Sequence, residues 1–277
     1  MTIIVFTVIL ACVAYFVGIL GALTGLGGGV VLIPVLVLLF HINIHYAMGT
    51  SLISVIATSS GAGMAYLREG YANIRIGMFL EIGAVLGALA GAIFVTMISP
   101  QLIAIIFGIV LLISAYLSWR RKEEVNHDKP SHPWALFLKL NDKYPRFEGK
   151  IYHVQNVPTA LCIMFIAGIL SALLGIGSGA LKVLAMDQAM GLPYKVSTAT
   201  SNFIIGITAA VSASVYFTNG FIDPVLTFPV MLGVLAGAFT GAEILKHMHP
   251  RRLRILFSFV IAMLAFEMIY KGMTGHL

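Results

Sequence analysis

The chain has 277 residues, of which 59% are hydrophobic and only 10% are charged. Soluble globular proteins average roughly 45–50% apolar and about 25% charged residues, so this composition excludes a water-soluble protein and indicates an integral membrane protein. The net charge of +6 at pH 7 is explained by basic loops on the cytoplasmic side of a membrane, and we expect no nucleic-acid partner.

Apolar segments recur along the chain at lengths that suit membrane helices, which need roughly 20 residues. They predict an all-α integral membrane protein with two sets of five elements. The first set comprises residues 3–22, 26–40, 47–66, 76–98 and 101–119. The second set comprises residues 157–174, 176–190, 196–217, 222–246 and 252–270. The first element lacks the basic start of a cleavable signal, and we expect it to be a membrane helix.

Four glycines stand within residues 25–29, between the first two elements. Glycine is a poor helix former, and the second element, at about 15 residues or ~23 Å, is shorter than a ~30 Å hydrocarbon core. The first two elements therefore form either two full spans or a re-entrant hairpin. A helix that begins at Gly27, Gly28 or Gly29 would offer free N–H groups to an anion. Close helix packing through small residues is the alternative.

Polar side chains follow in the third and fourth elements. Thr50 and Ser51 open the third element, where their hydroxyls either cap the helix or bind a ligand. Glu81 lies in the fourth element beside a stripe of glycines spaced for helix packing. We expect Glu81 to be buried, which makes it a candidate for coupling or gating as well as for a structural hydrogen bond.

The second half of the chain repeats the first at an offset of 150 residues without a gap, so that Gly27 aligns with Gly177. This duplication predicts three regions. They are transmembrane repeat 1 at 1–119, a cytoplasmic or interfacial linker at 120–155, and transmembrane repeat 2 at 156–277.

An odd number of spans in each repeat places the two repeats in opposite orientations. The basic residues support this, because 15 of the 17 lysines and arginines lie in segments 67–75, 120–155, 191–195 and 246–254. With these segments in the cytoplasm, the chain follows the positive-inside rule, and both termini lie on the external side of the cell membrane. Inverted repeats of this kind are typical of secondary transporters.

The second glycine segment supplies further candidates for anion binding. Gly177, Ser178 and Gly179 occupy the positions that Gly27–Gly29 hold in the first repeat. Lys182 follows in an apolar element, where a lysine needs a partner or water. Its ammonium group either binds an anionic substrate or forms an ion pair.

Two other groups of polar residues lie close by in the second repeat. Asp187 and Gln188 follow Lys182 and are candidates for coupling or gating. Thr200, Ser201 and Asn202 open the third element of this repeat, as Thr50 and Ser51 do in the first. Their side chains either cap the helix or add hydrogen bonds to a ligand.

At these motifs the sequence resembles the TauE/SafE sulfite exporter family of membrane permeases. The resemblance implies export or uptake of sulfur-containing anions such as sulfite, sulfoacetate and other organosulfonates. Ser178 departs from the family pattern by replacing a glycine, and Leu184 stands where the first repeat has a proline. The motifs that carry the resemblance are LTGLGGG at 23–29 with Pro34, AMGTS at 47–51, LLGIGSG at 173–179 and VSTATSN at 196–202.

Together these features predict a secondary transporter that moves a small sulfur-containing anion across the cell membrane by alternating access. An anion channel and a carrier of a non-sulfur small organic anion are the alternatives. The sequence holds no metal-ligand cluster, nucleophile–base pair or nucleotide motif, so we expect no enzyme activity, no cofactor, and no catalytic or metal site. The expected partners are the small anion, the lipid bilayer and, in a homo-oligomer, further copies of the chain.

Overall fold

The computed structural model describes residues 3–24, 27–94, 97–120, 131–144, 150–247 and 250–275. The structure is 81% helical, which confirms the predicted all-α class. Gly25 and the linker residues 121–130 and 145–149 lie outside the described residues. Five of the described helices are apolar and long enough to cross a membrane, namely Ile4–Thr24, Ile74–Gly91, Val157–Leu174, Tyr194–Thr218 and Pro224–Ile244.

The described part of the first half of the chain forms five helices close to the predicted elements. The third helix begins earlier than predicted, because the Asn43 side chain caps it by accepting the N–H of His45 at 3.0 Å. Of the two alternatives for Thr50 and Ser51, capping of this helix is therefore wrong, since both residues lie inside it. The helices are α1 (Ile3–Thr24), α2 (Gly29–Leu39), α3 (Ile44–Arg68), α4 (Ile74–Ala92) and α5 (Pro100–Arg120).

The second half has a matching series of helices, with one difference. Its counterpart of α2 is a six-residue α-helix that continues as a five-residue π-helix after Leu184. Thr200 to Asn202 again lie inside a helix, which begins after Pro193, so the capping alternative is wrong here too. The elements are α7 (Val157–Leu174), α8 (Gly179–Leu184), the π-helix Ala185–Ala189, α9 (Tyr194–Thr218), α10 (Pro224–His247) and α11 (Pro250–Thr274).

The linker between the halves has a structure of its own. Its described residues form the short helix α6 (Pro133–Phe137) and an antiparallel pair of strands, β1 (Asp142–Tyr144) and β2 (Lys150–Tyr152). Buried apolar side chains of the linker pack in one cluster with those of α4, α7 and α9. The amide of Asn73, just before α4, donates to the Tyr152 hydroxyl at 2.7 Å. The linker is therefore docked on one end of the helix bundle.

The long helices pack in pairs: α1 with α10, α4 with α7, α3 with α9, and α5 with α11. Stripes of glycine residues bring two of these pairs into close contact. In the α1–α10 pair Gly241 faces the backbone of Ile19, and in the α4–α7 pair Gly91 faces the backbone of Ile169. The fourth element of each repeat carries such a stripe, and the sequence spacing predicts that both serve helix packing. These contacts confirm the prediction for Gly83, Gly87 and Gly91 in α4 and for Gly233, Gly237 and Gly241 in α10. α2, at 11 residues or about 17 Å, is half the length of these helices and does not reach across a ~30 Å core.

The outer surface is apolar, and the mostly apolar interior also holds a set of buried polar side chains. Large apolar side chains such as Ile82 and Phe228 are exposed on the outer helix faces, as a lipid environment requires. Most of the buried polar side chains among the described residues lie on α3 and α9, including Ser51, Thr58 and Thr208. Polar groups at membrane depth face the inside of a bundle or a wet cavity, so the contact between α3 and α9 is where a site is to be sought.

Candidate functional site

The glycine turns of the two halves meet at the same pair of side chains. Gly27 and Gly177 both have positive φ, at 72° and 66°. A Cβ atom at Gly27 would lie 3.0 Å from Val55 and 3.1 Å from Ile205, and one at Gly177 would lie 2.8 Å and 2.9 Å from the same two residues. Val55 and Ile205 stand near the middle of α3 and α9, which have 25 residues each. Both turns therefore lie beside the middle of α3 and α9, the two helices that carry most of the buried polar side chains among the described residues.

The start of α2 faces a buried hydroxyl group. Gly28, with φ 78°, precedes the helix, and Gly29 is its first residue. A Cβ atom at Gly29 would lie only 2.6 Å from the Ser51 hydroxyl oxygen. That hydroxyl is fully buried and has no hydrogen-bond partner among the described residues. The first N–H groups of a helix also lack intrahelical partners and attract negative charge, so donors without acceptors converge at this point.

The second glycine turn has a different chemistry. Ser178, in the position of Gly28, has the left-handed φ of 56° although it is not glycine. Its hydroxyl donates to the carbonyl of Gly177 at 2.7 Å. The Ser201 hydroxyl donates to the carbonyl of Gly179 at 3.4 Å, whereas Ser51, its counterpart, has no such bond. The two turns thus share a backbone path but present different polar groups.

A buried ion pair lies one helical turn from the second glycine turn. The Lys182 ammonium donates to the Glu81 carboxylate at 2.6 Å, and the two side chains are 0% and 3% exposed. The Thr208 hydroxyl contacts both groups, accepting from Lys182 and donating to Glu81. The ion pair was the alternative that the sequence allowed for Lys182, and it connects α4 of the first half to α8 and α9 of the second.

The remaining predicted residues of the third elements bond to neighbouring helices. The hydroxyl groups of Thr50 and Thr227 are 3.2 Å apart. Thr200 accepts the backbone N–H of Asn73 at 2.9 Å. Asn202 donates to the carbonyl of Ala22 at 2.9 Å, and its own side-chain oxygen has no partner among the described residues. Of these three residues, only Asn202 has a side-chain oxygen without a partner among the described residues.

Asp187 and Gln188 lie in the π-helix that follows α8. Asp187 is buried and Gln188 is half-buried, and both side chains take part in further interactions. π-Helical turns inside helices occur frequently at functional sites. Asp187 and Gln188 therefore lie on π-helical backbone. The ion pair that the structure shows for Lys182 is with Glu81.

Two buried tyrosines also join the site to the ends of α1 and α7. The Tyr66 hydroxyl donates to the carbonyl of Ala22 at 3.0 Å, and the Tyr216 hydroxyl donates to the carbonyl of Ala172 at 3.1 Å. The sequence showed these tyrosines as equivalent positions of the two halves but did not indicate a role for them. The 150-residue offset was the signal that could have found the matching bonds.

Comparison with known proteins identifies the family. The family model described as "Sulfite exporter TauE/SafE" matches residues 10–268. The chain belongs to the TauE/SafE family. Probable membrane transporter protein YunE of Bacillus subtilis (strain 168) is 27% identical over 273 residues, which cover 96% of this chain and 98% of YunE. No solved structure gives a significant match.

Other TauE/SafE relatives cover most of the chain as well. Probable membrane transporter protein YdhB of the same bacterium is 31% identical over 232 residues, covering 83% of this chain and 87% of YdhB. Probable membrane transporter protein MJ0441 of Methanocaldococcus jannaschii is 26% identical over 282 residues, covering 94% of each. The chain is therefore a multi-pass membrane transporter of the TauE/SafE family, embedded in lipid and acting on a small substrate. The family is one of permeases, which confirms that the chain is not an enzyme.

Proposed function

We propose that this TauE/SafE transporter moves a small sulfur-containing anion, such as sulfite or an organosulfonate, by alternating access. The observation that carries the proposal is the meeting of the two glycine turns at Val55 and Ile205, at mid-depth of α3 and α9. Irregular backbone at membrane depth occurs where it is buried in protein or lines a cavity. Broken helices that meet near the middle of the bilayer form the substrate sites of many secondary transporters.

The anion binds first at the start of α2. Its negative oxygens accept hydrogen bonds from the N–H groups of Gly29 and Val30, since those of Val31 and Leu32 donate to the Gly28 carbonyl. They also accept from the Ser51 hydroxyl, which has no partner among the described residues. The missing side chain of Gly29 leaves room for this approach, since any Cβ would collide with Ser51. We extend the site to the second turn and to the polar residues around both turns. These further residues are Gly27, Thr50, Gly177, Ser178, Gly179, Lys182, Thr200, Ser201 and Asn202.

The two halves are inverted repeats of one another in this proposal. Three observations support it: the pairing of α1 with α10 corresponds to that of α7 with α4, the tyrosine bonds match, and the charge bias of the loops reverses. Repeat 1 then spans residues 1–119, the linker 120–155 faces the cytoplasm, and repeat 2 spans 156–277. The protein lies in the cell membrane with both termini outside.

Substrate flux into proteoliposomes with Ser51→Ala tests the site. Loss of one hydrogen bond to a charged ligand costs about 1.5–3 kcal/mol, so we expect KM for sulfite or sulfoacetate to rise about 10- to 100-fold. Stability stays unchanged, because the Ser51 hydroxyl has no internal partner among the described residues. Ser60→Ala, on the exposed side of the same helix, is the matched control and keeps the wild-type KM.

Three outcomes of this assay are decisive. An unchanged KM in Ser51→Ala contradicts the placement of the anion at α2. Flux that is not stimulated by substrate on the opposite side, at rates above those of a carrier, identifies an anion channel. Flux of small carboxylates that sulfite does not inhibit identifies a carrier of a non-sulfur anion.

A further inference from the structure

We infer that Lys182 and Glu81 couple anion transport to proton transport. In this mechanism the transported anion replaces the Glu81 carboxylate at the Lys182 ammonium, and Glu81 then binds a proton. The inference rests on the proposed function, since it assigns the coupling ion and two working residues to the same site. It requires that the pair be buried, close to the glycine turns, and dispensable for folding.

The Lys182–Glu81 pair is buried away from water, and its two charges balance each other. One ammonium faces one carboxylate at 2.6 Å, with 0% and 3% exposure, and the Thr208 hydroxyl joins the two. A second negative charge cannot enter this site without leaving one carboxylate unpaired, which is strongly unfavourable in a buried position. Protonation of Glu81 removes that charge, so the binding of an anion and of a proton favour each other.

The pair also stands next to the place where the anion is proposed to bind. The backbone N–H of Lys182 donates to the carbonyl of Ser178, in the first turn after the second glycine turn. Thr208 lies three residues, or about 4.5 Å along α9, beyond Ile205, the residue that both glycine turns contact. The meeting point of the turns is therefore about one helical turn along α9 from Thr208, whose hydroxyl contacts the ammonium group.

The equivalent position in the other half of the molecule has no charge. Shifting the sequence by 150 residues places Leu32 at the position of Lys182 and Met231 at the position of Glu81, while Thr58 matches Thr208. Leu32 is buried in the apolar core, so the same helix arrangement is packed there without an ion pair. Lys182 and Glu81 are thus both charged, whereas Leu32 and Met231 at the equivalent positions are both uncharged. Folding does not need a charged pair in this environment, and replacing a buried pair with apolar side chains is often neutral or stabilising.

The charge balance of one cycle follows directly. The resting site holds one positive and one negative charge. A monovalent anion enters to pair with Lys182, one proton from the adjoining water joins a Glu81 oxygen, and the site again has no net charge. Release on the other side reverses both steps, so that one anion and one proton cross together without moving net charge. For a monovalent anion, transport is then driven by a pH gradient and not by the membrane potential.

Other ionisable groups lie on the elements that pack against the pair, and the test must separate them from it. Asp187 is buried in the π-helix, and Lys195 is in the first turn of α9. The remaining groups lie on α4, α5, α7 and α9. They are Arg75, Tyr116, Arg120, Cys162, Tyr194 and Tyr216.

The experiment measures isethionate uptake into proteoliposomes. Isethionate is an organosulfonate and the anion of a strong acid, so its own charge does not change with pH. An outside-acid gradient of one pH unit at zero membrane potential should drive about tenfold accumulation by the wild type, and an imposed potential should change it little. Glu81→Gln should lose accumulation in the pH gradient and instead follow an inside-positive potential. Glu69→Gln removes an exposed carboxylate and should behave as the wild type.

A double variant separates coupling from folding. Lys182→Leu combined with Glu81→Met copies the uncharged position of the other half, so we expect the wild-type melting temperature and complete loss of isethionate uptake. In the wild type, addition of isethionate should produce the infrared band of a protonated carboxyl group, and this band should be missing in Glu81→Gln.

The outcomes distinguish the two proposals. Wild-type uptake that follows the membrane potential, ignores the pH gradient and persists in Glu81→Gln overturns the coupling and leaves the transporter function standing. Isethionate binding without the carboxyl band does the same. An unfolded double variant shows that the pair is a structural connection and overturns the inference. Absence of both uptake and binding for isethionate, sulfite and sulfoacetate contradicts the proposed function itself.

Discussion

Ser178 holds a backbone conformation that favours glycine. Its φ is 56°, and Gly28 has φ 78° at the same position of the other glycine turn. The left-handed conformation costs a residue with a Cβ roughly 1–2 kcal/mol, while glycine forfeits about 0.5–1 kcal/mol through its flexible unfolded state. We expect Ser178→Gly to raise the free energy of unfolding by up to about 1 kcal/mol, measured by denaturant titration in detergent.

The reciprocal change at Gly28 is the control for this prediction. A Cβ there would lie 3.4 Å from the nearest atoms of Val17, which is ordinary contact, so only the backbone conformation opposes a side chain. Gly28→Ser should therefore lower the free energy of unfolding by about 1 kcal/mol. If Ser178→Gly is no more stable than the wild type, the conformation of Ser178 is not strained.

At the scale of single residues, sequence analysis identified Lys182 and Glu81 as candidates but did not predict that they form an ion pair. Lys182 and Glu81 stand out because charges in apolar elements are rare. Their contact could not be predicted, because they lie 101 residues apart on elements that the repeat does not make equivalent. The shared partner Thr208 was missed for the same reason. A hydroxyl group is too common on these helices to indicate a contact unless the packing is known.

At the scale of the elements, the repeat was the most informative feature of the sequence. The apolar segments predicted the helices of both halves, including the short element that is α2, and the repeat showed which of them correspond. It did not predict the π-helix, although the departure from the first repeat at Leu184 marks the residue after which it begins. The early starts of α3 and α9 were also missed, because Asn43 and Pro193 lie outside the apolar stretches that defined the elements.

The glycine stripe of α4 gives a prediction about the close pair that α4 forms with α7. A Cβ at Gly91 would lie 2.6 Å from the carbonyl oxygen of Ile169 and 2.8 Å from its Cα. These are backbone atoms and can yield only if the helices separate. We expect Gly91→Ala to lower the free energy of unfolding by about 1–3 kcal/mol, measured by thermal unfolding in detergent.

The same substitution at Gly61, in α3, is a matched control. Its Cβ would lie 3.1 Å from a side-chain methyl group of Leu235, which can move aside. Alanine is also the better helix former by about 0.8–1 kcal/mol, so Gly61→Ala should leave stability unchanged or raise it. Equal melting temperatures for the two variants would show that close contact along the stripe does not hold α4 and α7 together.

At the scale of the whole molecule, the linker makes the two ends of the bundle unlike each other. At one end, Asn73 bonds both to the linker and to Thr200 at the start of α9. At the other end, His45 stacks on Phe221, with ring centroids 4.8 Å apart, and segments 40–46 and 218–223 carry no lysine or arginine. Among the described residues, Arg75 and Lys139 lie at the linker end, where Arg75 donates to the Lys139 carbonyl at 3.2 Å. The positive-inside rule assigns this end to the cytoplasm.

This assignment can be tested with one pair of equivalent residues. Glu69 and Asn219 are 150 positions apart in the sequence, each is the C-cap of its helix, and both are exposed. In a variant with Cys12 and Cys162 replaced by alanine, a new cysteine at either position reports the side of the membrane. We expect a membrane-impermeant maleimide added to intact cells to label Asn219→Cys and not Glu69→Cys.

Permeabilised cells provide the control, because both cysteines should then react equally. The expected result places equivalent ends of α3 and α9 on opposite sides of the membrane, as only inverted repeats do. Labelling of Glu69→Cys alone keeps the inversion and reverses the orientation, so the linker is then outside and the charge argument fails. Labelling of both residues in intact cells places the two helix ends on one side. The halves are then parallel copies, and the two glycine turns enter the membrane from the same face.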